Sequence, residues 1–146
     1  MSDMEKQVHR VIDSYRAAVF ARDVEAFMRL YHPSVRVFDT WGVWLYQDAP
    51  SWQTAVQGWF TSLGSERVRV SFSEVQITAE QALATVSAIV TYAAESAQGE
   101  QLRSMQNRIT WVLRETGHVP RIVHEHTSAP IGFEDYKAIL SRAQQG

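Results

Sequence analysis

Val8, Val11, Ile12, Tyr15, Ala18 and Val19 recur at intervals of three and four near the start of the chain. That spacing lays one apolar stripe along a helix, predicted over 4–21. Ser2 and Glu5 precede it at the spacing of a capping box, which marks its entry. Asp23 is placed to cap a second, short helix carrying Phe27, Leu30 and Tyr31. His32-Pro33 ends that helix, because a residue before proline is pushed out of the α region. Residues 35–39 read as a short strand. The stretch 40–49 has no period, and Gly42 interrupts it. A third helix is predicted from Pro50-Ser51, where proline suits a helix entry. Its stripe is Trp52, Ala55, Val56, Trp59, Phe60 and Leu63. Gly58 within it is less favourable than alanine by about 1 kcal/mol, so a close approach of another backbone is expected there.

From Arg67 the period becomes two. Val68, Val70 and Phe72 share one side, whereas Val75 and Ile77 take the opposite parity, which predicts a bulge near Ser73-Glu74. Residues 83–94, 102–114 and 121–128 read as three further strands. Turns at 97–99 and 116–118 join them, and 135–142 reads as a terminal helix. Helices first and a meander of strands afterwards imply an α+β fold, with the helices covering one face of a curved antiparallel sheet.

Alternation separates the two faces of that sheet. Met105, Asn107, Ile109, Trp111 and Leu113 form the apolar side of their strand and should face the helices. A hairpin turn centred near Thr116 sets residue 107 opposite 125 and 109 opposite 123. Val123, Glu125 and Thr127 then join the helix-facing side. Ile122, His124, His126 and Ser128 join Arg108 on the other.

Composition narrows the function. The chain has 146 residues, which is the size of one domain, 1–146, with a core of its own. Hydrophobic residues make up 45% and the net charge is −2, so neither disorder nor attraction to nucleic acid or an anionic membrane is expected. There is no cysteine, which removes disulfides, thiol nucleophiles and cysteine-held metals and fits a cytoplasmic setting. The charged first ten residues carry no signal-peptide core, and no stretch reaches the ~18 apolar residues of a membrane span. Five tryptophans, five tyrosines and six phenylalanines are many for this length and suit a core or a ligand pocket. No nucleophile elbow, phosphate loop or dinucleotide fingerprint occurs.

R-D-V-E-A-F-M-R-L-Y-H-P at 22–33, V-F-D at 37–39 and G-W-F at 58–60 resemble the front half of SnoaL-like proteins. N-R-I-T at 107–110 and R-I-V-H-E-H-T-S-A-P at 121–130 resemble their back half. This is the nuclear-transport-factor-2-like superfamily, which includes ketosteroid isomerase. The I-V-H-x-H-x-S ending is also similar to the association domain of calcium/calmodulin-dependent protein kinase II. The resemblance implies a cystatin-like α+β cone: a strongly bent antiparallel sheet wrapped around the N-terminal helices, with a pocket in its mouth. It implies a homodimer formed through the outer sheet face. It assigns no chemistry, since the same cone hosts isomerases, dehydratases, hydrolases and non-catalytic hubs. The two acids of ketosteroid isomerase have no residue-by-residue match here.

The residues themselves supply candidates. Glu125 is a carboxylate on an apolar, aromatic surface. Desolvation there favours its neutral form and suits a general acid or base; the alternative is a glutamate satisfied by Asn107 or an arginine. Asp39 stands beside Trp41, Trp44 and Tyr46, and either joins a pocket lip or braces the loop that follows. Phe38, Trp41, Tyr46, Trp59, Asn107, Trp111 and Thr127 are the expected lining. His124 and His126 project to one face and could share an ion. A closed zinc site needs more ligands than that, so no metal is expected. With Arg108 they suit a pH-sensitive dimer contact instead.

Two functions are consistent with these residues. One is a cytoplasmic homodimer that binds a small, largely apolar molecule and works as a cofactor-independent isomerase, dehydratase or hydrolase, with Glu125 or Asp39 moving the proton and Asn107 holding a carbonyl or hydroxyl. The other is an association module whose pocket is vestigial or sensory.

Overall fold

The computed structural model describes residues 1–117 and 119–145. Helix α1 spans Asp3–Ala21, and the Ser2 hydroxyl accepts the Glu5 amide at 3.1 Å, as the capping spacing requires. All six residues of its predicted stripe are buried, together with Met4. Helix α2 is short, Val24–Met28, capped by Asp23. Tyr31 already belongs to strand β1, Tyr31–Phe38, so His32-Pro33 lies within the strand rather than ending the helix. Proline is tolerated there near the start of an edge strand.

Helix α3 spans Ala49–Ser62, and Asp48 caps it by accepting the Ser51 amide at 2.9 Å. Trp52, Val56 and Phe60 are buried; Ala55, Trp59 and Leu63 are partly so. Gly58 corrects the expectation of a close approach: it is exposed, and a Cβ there would meet nothing within 4 Å.

Strands β2 (Arg67–Ala79), β3 (Leu83–Glu95), β4 (Gln101–Glu115) and β5 (Pro120–Ser128) form the antiparallel meander. The sheet order is β1-β5-β4-β3-β2, and β1 adds a parallel edge beside β5. Helix α1 packs on β2, β3 and β5, and α3 packs on β1, so the sheet curls around the helices. The predicted bulge in β2 is present between Ser73 and Gln76, where Glu74 takes φ 52°.

The β4–β5 hairpin closes at Glu115↔Pro120, and Trp111 rather than Asn107 faces Glu125. The offset from the expected register is an even number of residues, so Glu125 and Thr127 still face inward. A bulge corrects the rest of β5: Val112 pairs with His124 and Leu113 with Ile122, which leaves Val123 extra. Ile122, expected outside, is fully buried, whereas Val123, expected inside, is half-buried. Thr116 and Gly117 lie in the turn as expected; His118 is outside the described residues.

The terminal helix expected at 135–142 is replaced by a hook. Ile131 bridges Ala138, Tyr136 takes φ 58°, and the tail runs beside β4 past the end of β5. There the Leu140 carbonyl accepts the Gln106 amide at 2.7 Å, a β4 donor that β5 is too short to reach. Only Arg142–Gln145 turns helical, as a 3-10 segment. No helix among the described residues is long and apolar enough to cross a membrane.

Candidate functional site

The curl of the sheet encloses a cavity of about 570 Å³ between α1, α3 and the inner faces of β2 to β5. Its walls are mostly aromatic and aliphatic, and its polar groups come from a few positions. Glu125 reaches it from β5, Asn107 from β4, and Asp39 from the residue after β1. The chain after β1 folds back so that Val37 and Tyr46 exchange amide–carbonyl bonds of 2.9 and 2.8 Å. That return brings Trp41, Gly42 and Tyr46 to the cavity wall.

Of the expected lining residues, Trp41, Tyr46, Trp59, Asn107 and Thr127 border the cavity, as do Asp39 and Glu125. Phe38 does not. Val37 and Asp39 take the inner positions of β1 and its continuation, so alternation sends Phe38 outward. Its ring packs against His124 and His126 at 4.9 and 5.3 Å, with the Arg36 guanidinium 4.9 Å from its centroid. Trp111 also falls short of the cavity. It is fully buried beneath Glu125 and donates its indole N–H to it. Trp44, read as part of the pocket lip, is 94% exposed.

Glu125 is 2% exposed. Its Oε1 accepts the Tyr31 hydroxyl at 2.6 Å and the Trp111 indole N–H at 2.9 Å. Neither of the partners weighed from sequence, Asn107 or an arginine, holds it. Burial raises its pKa to about 7, the two donors pull the other way, and the Asp39 charge adds to the rise. Burial therefore outweighs two hydrogen bonds. The preference for the neutral form amounts to about 3 kcal/mol at ~1.4 kcal/mol per unit.

Asp39 is also raised, chiefly by burial, against donors from Thr127, Trp41 and Thr40. The Thr127 hydroxyl donates to its Oδ1 at 3.2 Å. Thr127 in turn accepts the Thr40 amide at 2.8 Å and the Thr40 hydroxyl at 2.9 Å. The Asn107 side-chain amide donates to the Thr40 hydroxyl at 3.4 Å.

The sequence reading missed three tyrosines. Tyr15 and Tyr92 border the cavity with their hydroxyls 2.8 Å apart, and Tyr31 holds Glu125. Burial raises all three, and the Glu125 charge adds to each rise. In the sequence Tyr15 is one member of a helical stripe, and Tyr31 continues the pattern of α2. Tyr92 lay in a strand whose inner parity was not assigned. Correct parity for β3, set by Val86 and Val90, would have found Tyr92.

On the outer face, His124 Nδ1 contacts the Arg36 carbonyl at 2.7 Å, and Arg108 donates to the Ser128 hydroxyl at 3.0 Å. His126 is exposed beside Phe38. His124, His126 and Arg108 thus share the side expected of them. Among the described residues no three His, Asp or Glu side chains group closely enough to hold a metal.

The SnoaL-like domain profile matches residues 8–132. No curated protein matches the sequence. Among solved structures, an NTF2-like protein of unknown function from Pseudomonas putida KT2440 superposes with a TM-score of 0.82 at 19% identity, covering 94% of each chain. A provisionally assigned calcium/calmodulin-dependent protein kinase II association domain from Xanthomonas campestris gives 0.72 at 16% identity, over 85% of this chain and 86% of the other. A provisionally assigned dehydratase of the NTF2-like family from Streptomyces avermitilis gives 0.70 at 16% identity, over 87% and 96%. At these identities the likeness is one of fold.

Proposed function

The chain belongs to the SnoaL-like domain family, and from that premise we propose that it binds a small, largely apolar molecule and moves a proton on it with Glu125, without a cofactor. The observation that carries this is the position of Glu125: a buried carboxyl on an aromatic cavity, raised to about 7. Near neutral pH such a group is divided between its base and acid forms, which suits it to take a proton and return it. Both protein donors bond Oε1, so Oε2 serves the ligand.

The chemistry follows from the Glu125 carboxyl and the hydrogen-bond donors around the cavity. Glu125 takes the proton from a carbon beside a ligand carbonyl, and the electron pair moves onto the carbonyl oxygen. Return of the proton at another carbon completes an isomerisation. Loss of a hydroxyl from the β carbon, protonated as it leaves, completes a dehydration. Hydrolysis would use the same carboxylate on a water. The dehydratase assignment of one structural relative supports the second course.

Native mass spectrometry of the purified protein tests the binding half, since a retained organic molecule would be weighed directly. The proton step is tested with 2-tetralone in deuterium oxide, by following loss of the protons beside its carbonyl by NMR. The wild type should accelerate that exchange, and Glu125→Gln should lower it at least ~100-fold, the usual scale of a general base. Undiminished exchange by the variant overturns the assignment.

The outer face supports a second role beside the first, a homodimer contact. Arg36, Phe38, His124 and His126 form a compact aromatic and cationic cluster there. The likeness to an association-domain fold favours this surface. A purely associating protein with an idle cavity is the reading that remains if neither ligand nor exchange is found.

A further inference from the structure

The hydrogen bonds linking Asp39 to Asn107 run in one direction only. Thr127 has a single hydroxyl hydrogen, and it goes to Asp39 Oδ1. Thr127 Oγ1 therefore receives the Thr40 amide and the Thr40 hydroxyl as an acceptor. Thr40 has then spent its own hydrogen, so toward Asn107 it can only accept. That fixes the Asn107 amide with Nδ2 turned to Thr40, and Oδ1 is left buried with no protein partner. An amide whose two ends look alike in shape is oriented here by its hydrogen bonds.

Resting on the ligand cavity proposed above, we propose that Asp39 is a positioning residue: through Thr127 and Thr40 it turns Asn107 so that its N–H faces the ligand, and the cavity thereby selects molecules carrying an acceptor oxygen. Two observations converge on this. Asn107 borders the cavity although the residue is only 6% exposed, and its Oδ1 is closed off, so Nδ2 is the end of the amide that remains for a ligand. Nδ2 also has a second hydrogen, which Thr40 does not use. Asp39 anchors the chain because its Oδ1 accepts the Thr127 hydroxyl, and the nearby Thr40 and Trp41 amides favour its ionised form against burial. Glu125 on β5, Tyr92 on β3 and Tyr46 after β1 feel its charge, and Arg103 on β4 borders the same cavity. A ketone or ether oxygen at Asn107 is the matching ligand group.

The test compares 2-tetralone with tetralin, which has the same ring skeleton and no oxygen, by quenching of tryptophan fluorescence. The wild type should bind the ketone at least tenfold tighter. Asn107→Leu should bring the ratio close to one. Thr127→Val and Asp39→Leu should lower it at least threefold, because each breaks the chain of hydrogen bonds that orients the amide. Thr127→Ser should keep it. Retained tetralin binding reports an intact cavity in each variant, and the ratio of the two affinities, rather than either one, carries the test. A ratio that survives Asn107→Leu overturns the donor role of Asn107. A ratio that falls in Asn107→Leu yet survives both Thr127→Val and Asp39→Leu overturns the positioning role of Asp39. A wild type that binds neither probe overturns the cavity reading, and this inference with it; equal binding of both probes overturns this inference alone.

Discussion

Tyr31 and Glu125, 94 residues apart in sequence, meet through a 2.6 Å hydrogen bond in the buried floor of the cavity. Parallel pairing of β1 with β5 makes the meeting possible, and the tyrosine hydroxyl donates to a carboxyl that burial drives toward its neutral form. The bond opposes that drive, so its removal is measurable. In Tyr31→Phe the pKa of Glu125 should rise further, and the pH profile of 2-tetralone exchange should move to higher pH. The fold should lose about 1–2 kcal/mol, the usual scale for a buried hydrogen bond to such a group. A profile that stays in place would separate Tyr31 from the carboxyl.

Glu125 also makes stability depend on pH. Its folded pKa, about 7, lies above the ordinary 4.5, so the folded state holds a proton that the unfolded state releases. Stability is greatest below about 4.5, falls as pH rises toward about 7, and levels off above that. The loss across that window is about 3 kcal/mol, and Asp39 shifts in the same sense. Thermal unfolding between pH 5 and 8 should show the decline in wild type. Glu125→Gln, which keeps the acceptor for Tyr31 and Trp111, should flatten it; an equal slope in both proteins would contradict the burial argument.

Gly58 offers a substitution free of the site. It sits exposed in the interior of α3, without positive φ and with open space around a new Cβ. Gly58→Ala should raise stability by about 0.5–1 kcal/mol, through helix propensity and a less flexible unfolded chain. Chemical denaturation measures this, and a loss of stability would mean that α3 needs the glycine for a contact with a partner.

The outer cluster predicts an assembly defect. Phe38→Glu places a carboxylate between His124 and His126 at the centre of the proposed contact. Sedimentation velocity should show a dimer in wild type and a larger monomer fraction in the variant, with ligand binding retained. An unchanged distribution would move the contact elsewhere.

The elements were legible because the period of each was clean. α1, α3, β2 and β4 follow stripes or alternations that burial bears out. The inward position of Glu125 was legible too, because an even register offset leaves parity intact. What escaped was whatever depended on a local count or a distant partner. Tyr31 reads equally well as the end of α2 and as the start of β1, and only the β5 edge decides it. Phe38 was assigned inward beside Asp39, although neighbours in a strand point to opposite sides. The C-terminal hook is held by the Gln106 amide of β4, which lies beyond the end of β5, and no local pattern at 135–142 reveals that.

The extra residue in β5 acts as a change of phase. Ile122 and Glu125 are three positions apart, an odd interval that in a regular strand would send them to opposite sides. With Val123 looped out of the pairing, both turn inward, so one strand supplies a core anchor and a buried acid at the same time. Drawing Val123 back into regular pairing, with no residue removed, would force a choice between the two. With Ile122 kept inside, the histidines would take the inner positions and the acid would stand in water. Among proteins of this fold, the same number of residues paired here without the bulge is therefore a difference in chemistry, even where the surrounding backbone superposes without a break.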